Sequence, residues 1–128
     1  MKLTLPIDSQ ARKEVPVTSG VLMYFPAAVA GVARISKMGN DKHNPGQPLH
    51  HARGKSTDHA DCIIRHLMDV NDLLARHREC ESNSWTEVEV EEALLLEVSQ
   101  LAWRALALSQ ELHEKYGGAP LAPGAKNG

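Results

Sequence analysis

Apolar positions along this 128-residue chain recur at helical spacing, in three stretches separated by polar or proline-marked segments. Pro26 suits a first helical turn. Residues 27–38 after it are small and apolar, and Gly39-Asn40 supplies a left-handed stop. Gly31 inside this run costs about 1 kcal/mol relative to alanine, which close helix packing explains better than a ligand does. The second stretch starts near Ser56-Thr57-Asp58, three N-cap types in a row, and extends to about Glu79. Ala60, Ile63, Ile64, Leu67, Val70, Asn71 and Leu74 line one stripe of it. Asp58, Asp61, Arg65, Asp69 and Asp72 lie opposite, with His59, Cys62 and His66 to one side. A third helix is expected from Thr86, where Thr86-x-x-Glu89 reads as a capping box, to Tyr116 before Gly117-Gly118.

This third helix is apolar around most of its circumference between positions 93 and 108. Leu94, Val98, Leu101, Ala105 and Leu108 form one stripe, and Leu95, Ala102 and Leu106 a second. Such a helix wants cover on every side, more than three helices supply, so a homo-oligomer (dimer or higher) is expected, most simply through a two-fold pairing of third helices. The fold class is all-α, a small bundle of about three helices with a long polar loop before the second main helix. Residues 1–20 read as a flexible arm, 21–116 as a single helical domain and 117–128, with prolines and glycines, as a disordered tail.

Composition narrows the function classes. Apolar residues make up 42% and aromatics only 4%, so the core must be aliphatic. A net charge of −2 gives no broad basic surface for nucleic acid. Two cysteines are too few for a disulfide framework and point to a reducing compartment. No apolar run reaches the roughly 20 residues needed to span a bilayer, and the N-terminus lacks a signal-peptide core. A soluble, cytoplasmic protein with no membrane partner is expected.

The candidate chemistry concentrates in residues 39–61, which hold few large apolar side chains but many phosphate- and metal-binding groups. Lys42, Arg53 and Lys55 can neutralise anionic oxygens and Asn44 can donate to them. An anion at the helix start near Ser56 would meet free backbone N–H groups. Asp58 and Asp61 would repel bare phosphate there, but suit phosphate carried with a divalent cation. Asp61, Arg65 and Asp69 repeat every four residues, as a surface salt-bridge ladder or as a working face. Glu97 is the one acid within the apolar run and needs a partner: Arg104 two turns on, or a cation shared with acids of the second helix. No zinc-finger or zincin spacing, His-Asp dipeptide, Walker loop or dinucleotide fingerprint is present.

Residues 31–46 (Gly31-Val32-Ala33-Arg34-Ile35-Ser36-Lys37-Met38-Gly39-Asn40-Asp41-Lys42-His43-Asn44-Pro45-Gly46), Lys55-Ser56-x-x-His59-Ala60-Asp61, Arg65-His66-Leu67 and 102–108 resemble a phage family. It is named for the N-terminal domain of the dATP/dGTP diphosphohydrolases of bacteriophages, and the likeness covers roughly residues 20–112. The family often has a histidine where Glu97 stands, and the paired Glu-x-x-Glu and Glu-x-x-Asp motifs of the all-α nucleotide pyrophosphatases are absent. The resemblance implies cleavage of purine deoxynucleoside triphosphates to monophosphate and pyrophosphate with Mg²⁺ or Mn²⁺, in the host cytoplasm if the chain is phage-encoded. Placed on this sequence, Asp61, Asp69 and Glu97 would hold the metal. Lys42, Asn44, Arg53, Lys55 and Arg65 would hold the triphosphate, and His66 would orient a carboxylate or water. The alternative expectation is a non-catalytic phage protein that binds a nucleotide or a host protein through the same loop.

Overall fold

The computed structural model describes residues 2–79 and 85–127. Four α-helices carry the fold: α1 (Ser9–Lys13), α2 (Pro26–His43), α3 (His59–Glu79) and α4 (Trp85–Tyr116). A π-helical turn, Thr18–Leu22, precedes α2. The all-α expectation holds, with a fourth, short helix in the N-terminal arm, where Asp8 caps α1 by accepting from the Ala11 N–H at 2.8 Å. Two three-residue strands, β1 (His51–Arg53) and β2 (Ala125–Asn127), pair in parallel. The C-terminal segment expected to be disordered therefore returns to the polar loop, with Ala125 opposite His51 and Asn127 opposite Arg53. Among the described residues no single helix is long and apolar enough to cross a membrane.

The spine is α4. It packs along α3 on one side and against α2 on another, and α2 and α3 do not meet among the described residues. The α2 contact is close at Gly31, where an added Cβ would come within 2.5 Å of Ser99 Oγ. Further along, the Trp103 Nε1–H donates to Ser36 Oγ at 2.9 Å. The tight approach expected at Gly31 is thus a helix contact.

Two element boundaries differ from the sequence reading. Helix α2 does not stop at Gly39-Asn40 but runs to His43, because Asn40 is buried and its amide donates to the Gln47 carbonyl at 2.8 Å instead of capping. The left-handed position falls later, at Gly46 with φ 77°. Helix α3 begins at His59, directly after the expected N-cap residues, with the Asp58 carbonyl accepting from the Cys62 N–H at 2.9 Å. Helix α4 begins at Trp85, and the Thr86 capping box involves a side chain outside the described residues.

The inward face of α3 also differs. His59, Cys62 and Val70 are its buried residues, so Val70 of the expected apolar stripe faces inward while Ile64, Leu67 and Leu74 are exposed. On α4 the Leu95 side of the helix is open, Leu95 being 68% exposed and Leu106 58%. Only Cys62, Val70, Val90 and Ala107 form a buried apolar set among the described residues, and no side chain there is completely enclosed.

Two glycines in one helix test this packing. Gly39→Ala meets nothing within 4 Å, so it should stabilise by about 0.5–1 kcal/mol through helix propensity. Gly31→Val should instead lower the thermal midpoint, because its side chain enters the Ser99 contact. Calorimetry of the two variants checks both signs.

Candidate functional site

Helices α3 and α4 are consecutive and antiparallel, and their seam is crossed by three histidine–carboxylate rungs. His59 Nε2 lies 3.0 Å from Glu111 Oε2. His66 Nδ1 lies 2.7 Å from Glu97 Oε2. His77 Nε2 lies 2.8 Å from Glu91 Oε2, with Glu87 Oε1 at 3.6 Å. The histidines recur on one face of α3, and their partners descend α4 as the histidines ascend α3. That is the pattern antiparallel neighbours must give.

The first rung belongs to the polar loop. His59 is 4% exposed, and its Nδ1 accepts from Arg104 at 3.1 Å, so in the neutral ring Nε2 carries the proton. That N–H faces Glu111 without the alignment of a hydrogen bond. Arg53, from β1, makes two 3.0 Å bonds to the two carboxylate oxygens of Glu114. Glu114 Oε2 also accepts from Gln110 at 2.9 Å and from the Ala122 N–H at 3.1 Å, so one carboxylate ties the loop and the C-terminal segment to α4. Desolvation raises the Glu114 pKa, but these donors together hold it below the ordinary value. The His51 ring meets Trp103 edge-on at 5.0 Å. Its pKa is lowered, by burial first and then by the Arg53 charge.

The middle rung gathers three of the residues singled out from sequence. Ligand atoms of His66, Asp69 and Glu97 lie within 4.8 Å of one another, with His66 and Glu97 half-buried and Asp69 exposed. A carboxylate accepts, so Nδ1 of His66 donates to Glu97. Neutral His66 then keeps an Nε2 lone pair, and Glu97 keeps a second oxygen. One imidazole nitrogen and two carboxylates form a donor set that fits a divalent cation.

The other candidates stand apart from this cluster. Asp61 is exposed eight positions before Asp69, about 12 Å along the helix. Arg65 is exposed and pairs with Asp58 at 3.2 Å instead of bridging Asp61 and Asp69. That contact lowers the Asp58 pKa and raises that of Arg65. Lys42 and Lys55 are exposed and Asn44 terminates α2. No hydrogen bond or ion pair joins these three among the described residues. Arg53 is committed to Glu114, and Arg104 turns to Ser56 and His59, leaving Glu97 to His66. The sequence reading missed His51, His59, Glu111 and Glu114, and the whole His77–Glu87–Glu91 group. The signal for the rungs was present in His59 and His66, seven apart, and Glu97 and Glu111, fourteen apart, each pair on one helix face.

No family model, curated protein or solved structure matches this chain.

Arg53 and Lys55 should separate structure from binding. Arg53→Ala should lower the thermal midpoint clearly, by stranding Glu114, whereas exposed Lys55→Ala should leave it unchanged. His51 supplies a pH test. A histidine whose folded pKa lies below 6.5 binds fewer protons folded than unfolded, so stability is full above the unfolded value and falls as pH drops through it. Thermal melts at pH 7.5 and 5.5 should show a smaller acid loss in His51→Gln than in wild type.

Proposed function

We propose that this chain is a metal-dependent (deoxy)nucleoside triphosphate pyrophosphohydrolase, converting purine dNTP to dNMP and pyrophosphate. The observation that supports it most is the convergence of His66, Asp69 and Glu97 from two helices on one half-open position. The resemblance in residues 31–46, 55–61 and 65–67 adds the substrate class.

In this reading Asp69 and the free oxygen of Glu97 would hold the cation. A divalent ion there would neutralise charge on the phosphates. The other oxygen of Glu97 fixes the His66 ring through Nδ1–H, which leaves Nε2 to accept a proton from water attacking the α-phosphorus. Exposed Lys42 approaches the phosphates from the last turn of α2, Lys55 from the loop, and Arg65 from α3 by releasing Asp58. Asp61 lies beyond the cluster and does not share its ion. Arg53 shapes the loop from beneath and does not touch substrate. Two carboxylate oxygens together with substrate phosphate suit either Mg²⁺ or Mn²⁺.

Pyrophosphate release measured over the eight common (d)NTPs with Mg²⁺ and with Mn²⁺ tests the reading. Expected are purine dNTP turnover with Mg²⁺ or Mn²⁺ and a metal-dependent rise in thermal midpoint, by mass action on the native state. Glu97→Gln and Asp69→Asn should each abolish that rise. His66→Gln should keep most of it while slowing turnover by about 10²–10⁴-fold. Lys55→Ala should weaken triphosphate binding by about 1.5–3 kcal/mol. Binding without any pyrophosphate release would move the chain to the accessory, non-catalytic reading.

A further inference from the structure

At the loop end of the α3–α4 seam, three elements bring donor atoms to one place. His51 comes from β1, His59 from the first turn of α3 and Glu111 from α4, and one ligand atom of each lies within 4.8 Å of the others. His59 is 4% exposed, and its Nε2 is a buried atom without a hydrogen-bond partner. An unpartnered polar atom in that position costs free energy and calls for a ligand. Glu111 Oε2 is only 3.0 Å away, yet it stands off the axis along which Nε2 points. Two groups this close that do not bond each other are arranged as joint neighbours of a third body. A cation about 2.0–2.1 Å from each would keep them 3.0 Å apart, at roughly a right angle.

His51 supplies the third donor. Its ring rests edge-on against Trp103, and no hydrogen bond occupies its nitrogens among the described residues. Burial and the Arg53 charge lower its pKa, so at neutral pH the ring keeps a free lone pair. Two guanidinium groups stand nearby. Arg53 gives its bonds to both oxygens of Glu114, and its Nη1 lies 3.7 Å from Glu111 Oε1. Arg104 donates to Ser56 and to His59 Nδ1. A cation at Nε2 needs the ring proton on Nδ1, so its binding turns the Arg104 N–H away from the ring while Ser56 still accepts from Arg104. The added positive charge favours hydroxide or another anion in the cation's remaining position.

We infer that His51, His59 and Glu111 form a Zn²⁺ site that joins β1, α3 and α4 and leaves one coordination position open. Two imidazoles and one carboxylate are a set that zinc takes with water or a substrate atom in fourth place. The site is distinct from the His66–Asp69–Glu97 cluster, whose histidine stands seven residues further along α3, about 10 Å away. The inference goes beyond the nucleotide reading and does not rest on it.

Titration of Zn²⁺ into the metal-free full chain at pH 7.5, followed by calorimetry and by the histidine ring signals in NMR spectra, tests the site. Expected are shifts of the His51 and His59 signals and a thermal midpoint that rises with Zn²⁺. His51→Gln and Glu111→Gln should each weaken this binding by about tenfold or more, whereas Glu97→Gln and His77→Gln should leave it in place. Arg104→Gln should bind Zn²⁺ at least as tightly as wild type, because an amide oxygen can accept from Nδ1–H. Weaker binding in Arg104→Gln overturns the assignment of Nε2 as the ligand. Unmoved His51 and His59 signals, or wild-type affinity in both His51→Gln and Glu111→Gln, overturn the site itself. Pyrophosphate assays of the same samples report on the nucleotide reading separately.

Discussion

The arrangement of this protein depends on how α3 meets α4. The seam is closed by His59–Glu111, His66–Glu97 and His77–Glu91, with Cys62, Val70 and Val90 as its buried apolar members. Polar rungs between helices fix register more than they add stability. Each histidine must find its carboxylate, and a shift of one turn strands both partners partly out of water. A seam specified in this way has little need of the aliphatic stripe of α3, which is free to face elsewhere. The open apolar surface and the half-open His66–Asp69–Glu97 cluster are both consequences of that choice.

The loop before α3 obeys the same logic at the far end of the seam. It has few apolar side chains with which to anchor itself, so polar groups do the anchoring. Arg53 bonds both oxygens of Glu114, His51 leans on Trp103, and β1 is paired by β2 from the far end of the chain. Basic residues in one loop thus divide by burial. Arg53 is spent inside the structure, while Lys55, two positions later and past the left-handed Gly54, stays in water.

The helices were legible in the sequence because apolar spacing and capping residues are local signals. Pro26 starts α2 where expected, and Glu79 and Tyr116 end α3 and α4 as read. The inward face of α3 was not legible, for a physical reason. Periodicity reveals that Ile64, Leu67 and Leu74 share a face, but not whether this chain or another covers it. Likewise Glu97 announced its need for a partner by lying alone among leucines. Choosing His66 over Arg104 needed the antiparallel register, which is a long-range fact. The β1–β2 pairing was invisible because its strands are three residues long and more than seventy positions apart.

Asp69 shows how site and surface coexist on one helix. It stands three positions after His66, so it leans over the same turn, yet it lies on the flank of the seam opposite Leu67 and Ile64. A carboxylate there remains solvated whatever covers the apolar side. Had the stripe of α3 been turned toward α4, the histidines would have faced outward and Glu97 would have stayed buried among leucines without a partner, at a cost of several kcal/mol. The inward histidines satisfy Glu97, and the apolar surface left outside follows from the same rotation of the helix.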